Sequence, residues 1–155
     1  MTMPLDHRGG MPVGGLADLP ALEFRAVRCL RLWCDGPDGW TRMQAEMADL
    51  VGPCRACRLG EAFDLTCRLM LEFCHRPLVR HEVDCPCLGA DEATFAHLVR
   101  LAGLGDREEA MLLATHLVRA DMAPIVVSHA ARVGLELHRA GLCDSARARP
   151  ADRLH

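Results

Sequence analysis

Cysteine and histidine gather in one stretch of the chain, His81-Glu82-Val83-Asp84-Cys85-Pro86-Cys87, with Cys74-His75 just upstream. Thiolate sulfur and imidazole nitrogen are the ligands that zinc and iron–sulfur centres take. A tetrahedral zinc site, with metal–sulfur bonds of about 2.3 Å, needs its sulfurs about 3.8 Å apart. Cysteines two apart on an extended chain point to the same side, so Cys85 and Cys87 can meet that distance, and Pro86 stiffens the pair. The candidate metal site is therefore His81, Cys85 and Cys87, with Cys74 or His75 as fourth ligand, and zinc is the candidate ion. Three cysteines are too few for the usual all-cysteine iron–sulfur cluster. Without a metal, Cys85 or Cys87 can act as a redox thiol, provided its pKa is depressed.

A second candidate is Cys54-Arg55-Ala56-Cys57, whose spacing suits zinc or a redox pair. No βαβ pattern surrounds it, which argues against a thioredoxin-like unit. Joining it to Cys85 and Cys87 is hard. A straight helix over 53–74 spans about 33 Å, and the eleven residues from Cys74 to Cys85 reach at most about 36–40 Å. A break at Gly60 would ease the return, and an iron–sulfur cluster would recruit Cys54 and Cys57 in that way. A local site at 81–87 is the simpler expectation.

The other reactive types have plainer readings. Cys29, Cys67 and Cys74 fall on apolar helical faces, as small core residues do, and Cys143 reads as an exposed bystander. His97, His116, His129 and His138 lie within helical segments with no H-E-x-x-H pattern. Asp91-Glu92 and Glu108-Glu109 fall in first turns, where capping and the helix dipole account for them. Ser128 and Ser145 lack a nucleophile-elbow context. All 18 basic residues are arginine, which excludes a lysine Schiff base and a P-loop lysine. No complete catalytic constellation is present.

The elements that must hold these residues are helical. Apolar positions recur at helical spacing from about Pro20 to Cys34, from Trp40 to Val51 (with a start as early as Pro37 allowed), and from Pro53 to Cys74. On the first of these, Arg25, Arg28 and Arg31 fall opposite the apolar stripe. Pro77 and Pro86 forbid a regular helix over 75–90, where a short extended piece at Leu78–Val83 fits. Three further helices follow, Asp91–Ala102, Asp106–Arg119 and Asp121–Ala140. The last is apolar on more than one face through Val126, Val127, Ala130, Val133, Leu135 and Leu137, which places it at the centre of the bundle. The fold expected is all-α: a single-domain bundle of five or six helices over 19–143, with one irregular Cys/His-rich loop. Residues 1–18, rich in Gly and Pro, and 144–155, polar with Pro150, are expected to be mobile ends.

Composition narrows the function. The 155 residues suit one domain. The net charge of −3 argues against nucleic-acid binding. The acidic residues Asp106, Glu108, Glu109, Asp121 and Glu136 speak equally against a helix-turn-helix in the last two helices. No stretch approaches the roughly 18 consecutive apolar residues of a membrane span, and Met1–Pro20 has no signal-like apolar run. Nine cysteines, an odd number, fit a reducing cytoplasm better than a disulfide framework. The absence of Lys and Asn and the single Ile125 point to a bacterial genome of high GC content. The reading that results is a small cytoplasmic, non-catalytic interaction or regulatory module, acting through a protein partner or self-association. The alternative is a metal-binding or thiol-redox sensor or enzyme using the 81–87 loop.

Overall fold

The computed structural model describes residues 7–148. It contains six α-helices, α1 (Ala21–Cys34), α2 (Pro37–Val51), α3 (Pro53–Phe73), α4 (Ala90–Gly103), α5 (Arg107–Leu117) and α6 (Ala123–Ala148), with a two-stranded antiparallel sheet of β1 (Pro12–Gly15) and β2 (Cys87–Gly89). The all-α expectation holds for this single helical unit. Proline in the first turn starts α2 and α3, where its missing N–H costs nothing. Gly36 and Gly52, at φ of 86° and 84°, make the sharp joints before these two helices.

α6 is the axis of the bundle. Val126, Val127, Ala130, Val133, Leu137 and Ala140 are all buried, and all five other helices pack against it. Its closest neighbour is α4, and two glycines allow the approach: a Cβ on Gly134 would lie 2.2 Å from the Val99 carbonyl oxygen, and one on Gly103 2.5 Å from the Gly134 backbone. Phe63 of α3 meets Phe95 of α4 edge to face, with ring centroids 5.9 Å apart. The end of α3 is tied to the end of α5 by an antiparallel bridge between Cys74 and Val118.

Several boundaries differ from the sequence reading. α3 runs unbroken through Gly60, which is buried beneath Gln44 and Trp40 rather than acting as a break. The extended piece falls at 87–89 and not at 78–83, because its partner strand comes from the Gly/Pro-rich lead. Residues 7–18 of that lead are built into the fold as two 3₁₀ turns flanking β1. α6 continues eight residues past Ala140, and only 149–155 of the expected C-terminal tail lie outside the described residues.

Candidate functional site

The irregular loop between α3 and α4 is organised from beneath by one buried ion pair. Arg31 of α1 and Glu92 of α4 have no exposed side-chain surface. The guanidinium donates to both carboxylate oxygens, Nε to Oε1 at 2.7 Å and Nη2 to Oε2 at 2.8 Å. Its other donor sites serve the loop: Nη1 donates to the carbonyls of Glu82 at 3.1 Å and Cys85 at 2.7 Å, and Nη2 to that of Cys87 at 2.6 Å. The carboxylate accepts in turn from the main-chain N–H of His81 at 2.9 Å and of Gly89 at 3.0 Å. Two charges taken out of water are thus compensated by each other and by five main-chain groups, as burial of an ion pair requires. Burial pushes the Glu92 carboxyl up, but the bonds from Arg31, Gly89 and His81 outweigh it, so its pKa lies below the ordinary value.

This frame brings His81, Cys85 and Cys87 together. His81 Nδ1 lies 3.6 Å from Cys85 Sγ, and His81 Nε2 lies 2.8 Å from the Gly10 carbonyl oxygen. A carbonyl only accepts, so Nε2 carries the proton and a neutral ring turns its Nδ1 lone pair toward the thiol. The main-chain N–H of Cys87, the His81 ring and the Cys87 thiol favour the Cys85 thiolate and hold its pKa below the ordinary 9.0. The same contact with Cys85, followed by the bond to Gly10, raises the His81 pKa above 6.5. Both shifts favour a thiolate facing an imidazolium. Other thiols move the other way: burial pushes the core Cys29 up to about 12 and raises the core Cys67 and the half-buried Cys34. A thiol held in its neutral form is a poor nucleophile, and a thiol with a stabilised anion is a good one.

The N-terminal segment covers one side of this site. Leu16 N–H donates to the Pro86 carbonyl at 2.8 Å, Ala90 N–H to the Met11 carbonyl at 3.0 Å, and Gly15 is the strand partner of Cys87. Cys85, Cys87 and His81 keep partial exposure, so the sulfurs remain accessible.

Cys74 and His75 are engaged at the other end of the loop. The Cys74 thiol donates to the Leu71 carbonyl at 3.3 Å, and His75 Nε2 lies 2.9 Å from the Thr115 carbonyl oxygen. Among the described residues, no three His, Cys, Asp or Glu side chains are grouped so as to hold a metal ion. Cys54 and Cys57 are exposed in the first turn of α3.

No family model, curated protein or solved structure matches the chain.

Sequence reasoning missed three parts of this arrangement. The helical pattern sets Arg31 opposite the apolar stripe of the first helix, and the structure buries it fully. The sequence pattern gives Glu92 a first-turn role at the start of the fourth helix. It does accept from the Gly89 N–H at the start of α4, but its larger role is to hold Arg31. Gly10, in the lead, orients His81. A signal for the first two exists in the spacing: Arg31 lies one turn after buried Val27, and Glu92 one turn before buried Ala96.

Proposed function

We propose that this chain is a thiol-dependent redox protein of regulatory kind, with Cys85 as its reactive sulfur. The observation that carries the reading is the Cys85–His81 contact, in which the ring is fixed by the Gly10 carbonyl so that Nδ1 faces the thiol. A nucleophile, a base within reach and a third group orienting that base is the arrangement by which cysteines are activated. His81 takes the Cys85 proton. The thiolate then attacks one sulfur of a disulfide, the S–S bond breaks, and the departing sulfur leaves as a thiolate that is protonated. Cys87, two residues away, can attack Cys85 in the mixed disulfide, releasing the second thiol and closing a Cys85–Cys87 disulfide. Because Cys87 is paired with Gly15, closure acts on the strand that anchors the N-terminal segment. A protein partner or a second copy reading that segment is the regulatory output we envisage. A cytoplasmic setting, where thiols are kept reduced, suits such a sensor.

The test is alkylation of the reduced protein as a function of pH, followed by peptide mass mapping. Cys85 is expected to react first at pH 7, with a midpoint below 9.0, the ordinary value. Reaction of Cys85 no faster than the exposed Cys54 and Cys57 would overturn the reading. Zinc held by His81, Cys85 and Cys87 with Cys74 or His75 is the competing proposal for the same residues. It requires His81 to give up one of its two ring contacts and Cys74 or His75 to leave its carbonyl. Near-stoichiometric zinc in protein purified without chelator, lost with Cys85→Ser, would decide for it.

A further inference from the structure

A second dithiol lies away from the loop, at the start of α3, and it borders an open groove of about 480 Å³ between α3 and α6. Cys54 and Cys57 are both exposed, and three residues apart on a helix they share a face. The Cys57 sulfur reaches Glu61 Oε1 at 3.9 Å. Glu61 and Arg58, the next residue after Cys57, are two of the groove's lining residues. The groove therefore begins where the dithiol ends.

Its lining is chemically mixed. α3 contributes Arg58, Glu61 and Leu65, and α6 contributes His129, Arg132, Leu135 and Glu136. Neither Arg58 nor Arg132 has a carboxylate partner among the described residues, and both are exposed. Leu65 and Leu135 are 41% and 42% exposed. Glu136 accepts from Arg139 Nη1 through Oε1 at 3.0 Å, and its Oε2 and His129 Nδ1 are buried without a hydrogen-bond partner. A ligand that satisfies this lining carries carboxylates for the two guanidiniums, an amine for the exposed Glu61 and a short apolar stem for the leucines. The volume is that of a small-molecule site, and the Cys57 sulfur, hydrogen-bonded to the lining residue Glu61, is the nearby group that a disulfide on the ligand would meet.

We propose that Cys54 and Cys57 form a second redox pair, whose substrate is the disulfide of a small zwitterionic thiol of the cysteine or short cysteine-peptide class, seated in the α3–α6 groove. Cys57, nearer the groove, gives its proton to solvent and attacks the near sulfur of the bound disulfide. That S–S bond breaks, and the first small thiolate leaves and is protonated. Cys54 then loses its proton and attacks Cys57, displacing the second small thiol. The protein dithiol is oxidised by two electrons to a Cys54–Cys57 disulfide, and one small disulfide is reduced to two thiols.

The experiment uses the reduced full-length chain and two probes, oxidised glutathione and the uncharged bis(2-hydroxyethyl) disulfide. Peptide mass mapping follows the Cys54–Cys57 and Cys85–Cys87 pairs separately, so failure at one leaves the reading of the other intact. Oxidised glutathione is expected to produce a Cys54–Cys57 disulfide, and Cys54→Ser to trap glutathione on Cys57. The double variant Arg58→Ala/Arg132→Ala is expected to slow the reaction with oxidised glutathione by about a hundredfold, about tenfold for each of the two lost charge-assisted hydrogen bonds, and to leave the uncharged probe within about twofold. Both arginines are exposed, so an unchanged thermal melt is expected to accompany the effect. Equal rates for wild type and variant with the charged probe, equal slowing with both probes, or glutathione trapped on Cys54 in place of Cys57 would each overturn the proposal.

Discussion

Arg31 and Glu92 lie 61 positions apart in sequence and meet through two parallel hydrogen bonds in the core. Neither is spent on its own helix alone. Between them they fix main-chain groups of residues 81, 82, 85, 87 and 89, so the loop that carries the reactive thiol takes its shape from α1 and α4. The loop's Cys/His composition supplies the chemistry, and this pair supplies the geometry.

Removing one partner should expose how much rests on it. Arg31→Met leaves a buried carboxylate with main-chain donors but no counter-charge, and a buried pair broken in this way costs about 3–5 kcal/mol. Urea unfolding is expected to show a loss of that size. The double variant Arg31→Met/Glu92→Leu is expected to recover part of it, because the unpaired charge is gone. A loss under about 1 kcal/mol for Arg31→Met would mean that water reaches the carboxylate.

The pair also sets the response to acid. The folded Glu92 pKa is below its ordinary 4.5. Its contribution is therefore present above about 4.5, the unfolded value, and is lost as pH falls through the lower folded value. His81 has the opposite sign: with its pKa raised above 6.5, it contributes fully below 6.5 and loses that contribution as pH rises through the folded value. Unfolding free energy measured from pH 3 to 8 is expected to fall at the acid end in wild type. Glu92→Gln is expected to be less stable at neutral pH and to show a shallower acid decline.

His81→Gln tests the activation of Cys85 separately from the fold. Glutamine can hydrogen-bond but cannot take the proton, so the alkylation midpoint of Cys85 is expected to rise. The rate at pH 7 then falls by roughly tenfold for each pH unit of that rise. A midpoint unchanged from wild type would assign the lowered thiol pKa to the Cys87 main-chain N–H alone, which is the largest of its causes.

How much of this could be read in the sequence follows from what each feature depends on. Helices depend on local period and capping, and the six segments from Pro20 onward were legible for that reason. The 81–87 loop was legible as chemistry because Cys and His stand together there in a stretch without helical periodicity. The buried pair was not: a charge on an otherwise apolar face reads as an edge residue until its partner, 61 positions away, is known. β1 was hidden for a different reason. Pro12, Gly14 and Gly15 have poor strand propensity, and that strand exists because β2 offers main-chain partners, not because its own side chains favour extension. The end of α6 past Gly141 was hidden by polar residues, of which Asp144 is held at 2.8 Å by Arg25 of α1.

The crossing of α4 and α6 gives the sharpest test of the packing itself. α6 is the element every other helix leans on, and at Gly134 its backbone has no room for a side chain: a Cβ there would sit 2.2 Å from the Val99 carbonyl oxygen and 2.8 Å from Gly103 Cα. Both neighbours are main-chain atoms of a buried helix, so relief requires α4 to move as a body. Gly134→Ala would ordinarily stabilise a helix by about 1 kcal/mol through lower chain entropy. Here the forced separation of α4 and α6 is expected to outweigh that gain and leave a net loss of about 1–3 kcal/mol. Because α4 also carries Glu92, the shift should reach the loop: the alkylation rate of Cys85 is expected to change in Gly134→Ala, although the substituted residue is on another helix. A thermal melt and a Cys85 alkylation rate measured on the same sample check both halves. A variant more stable than wild type would show that the two helices do not approach as closely as their glycines allow.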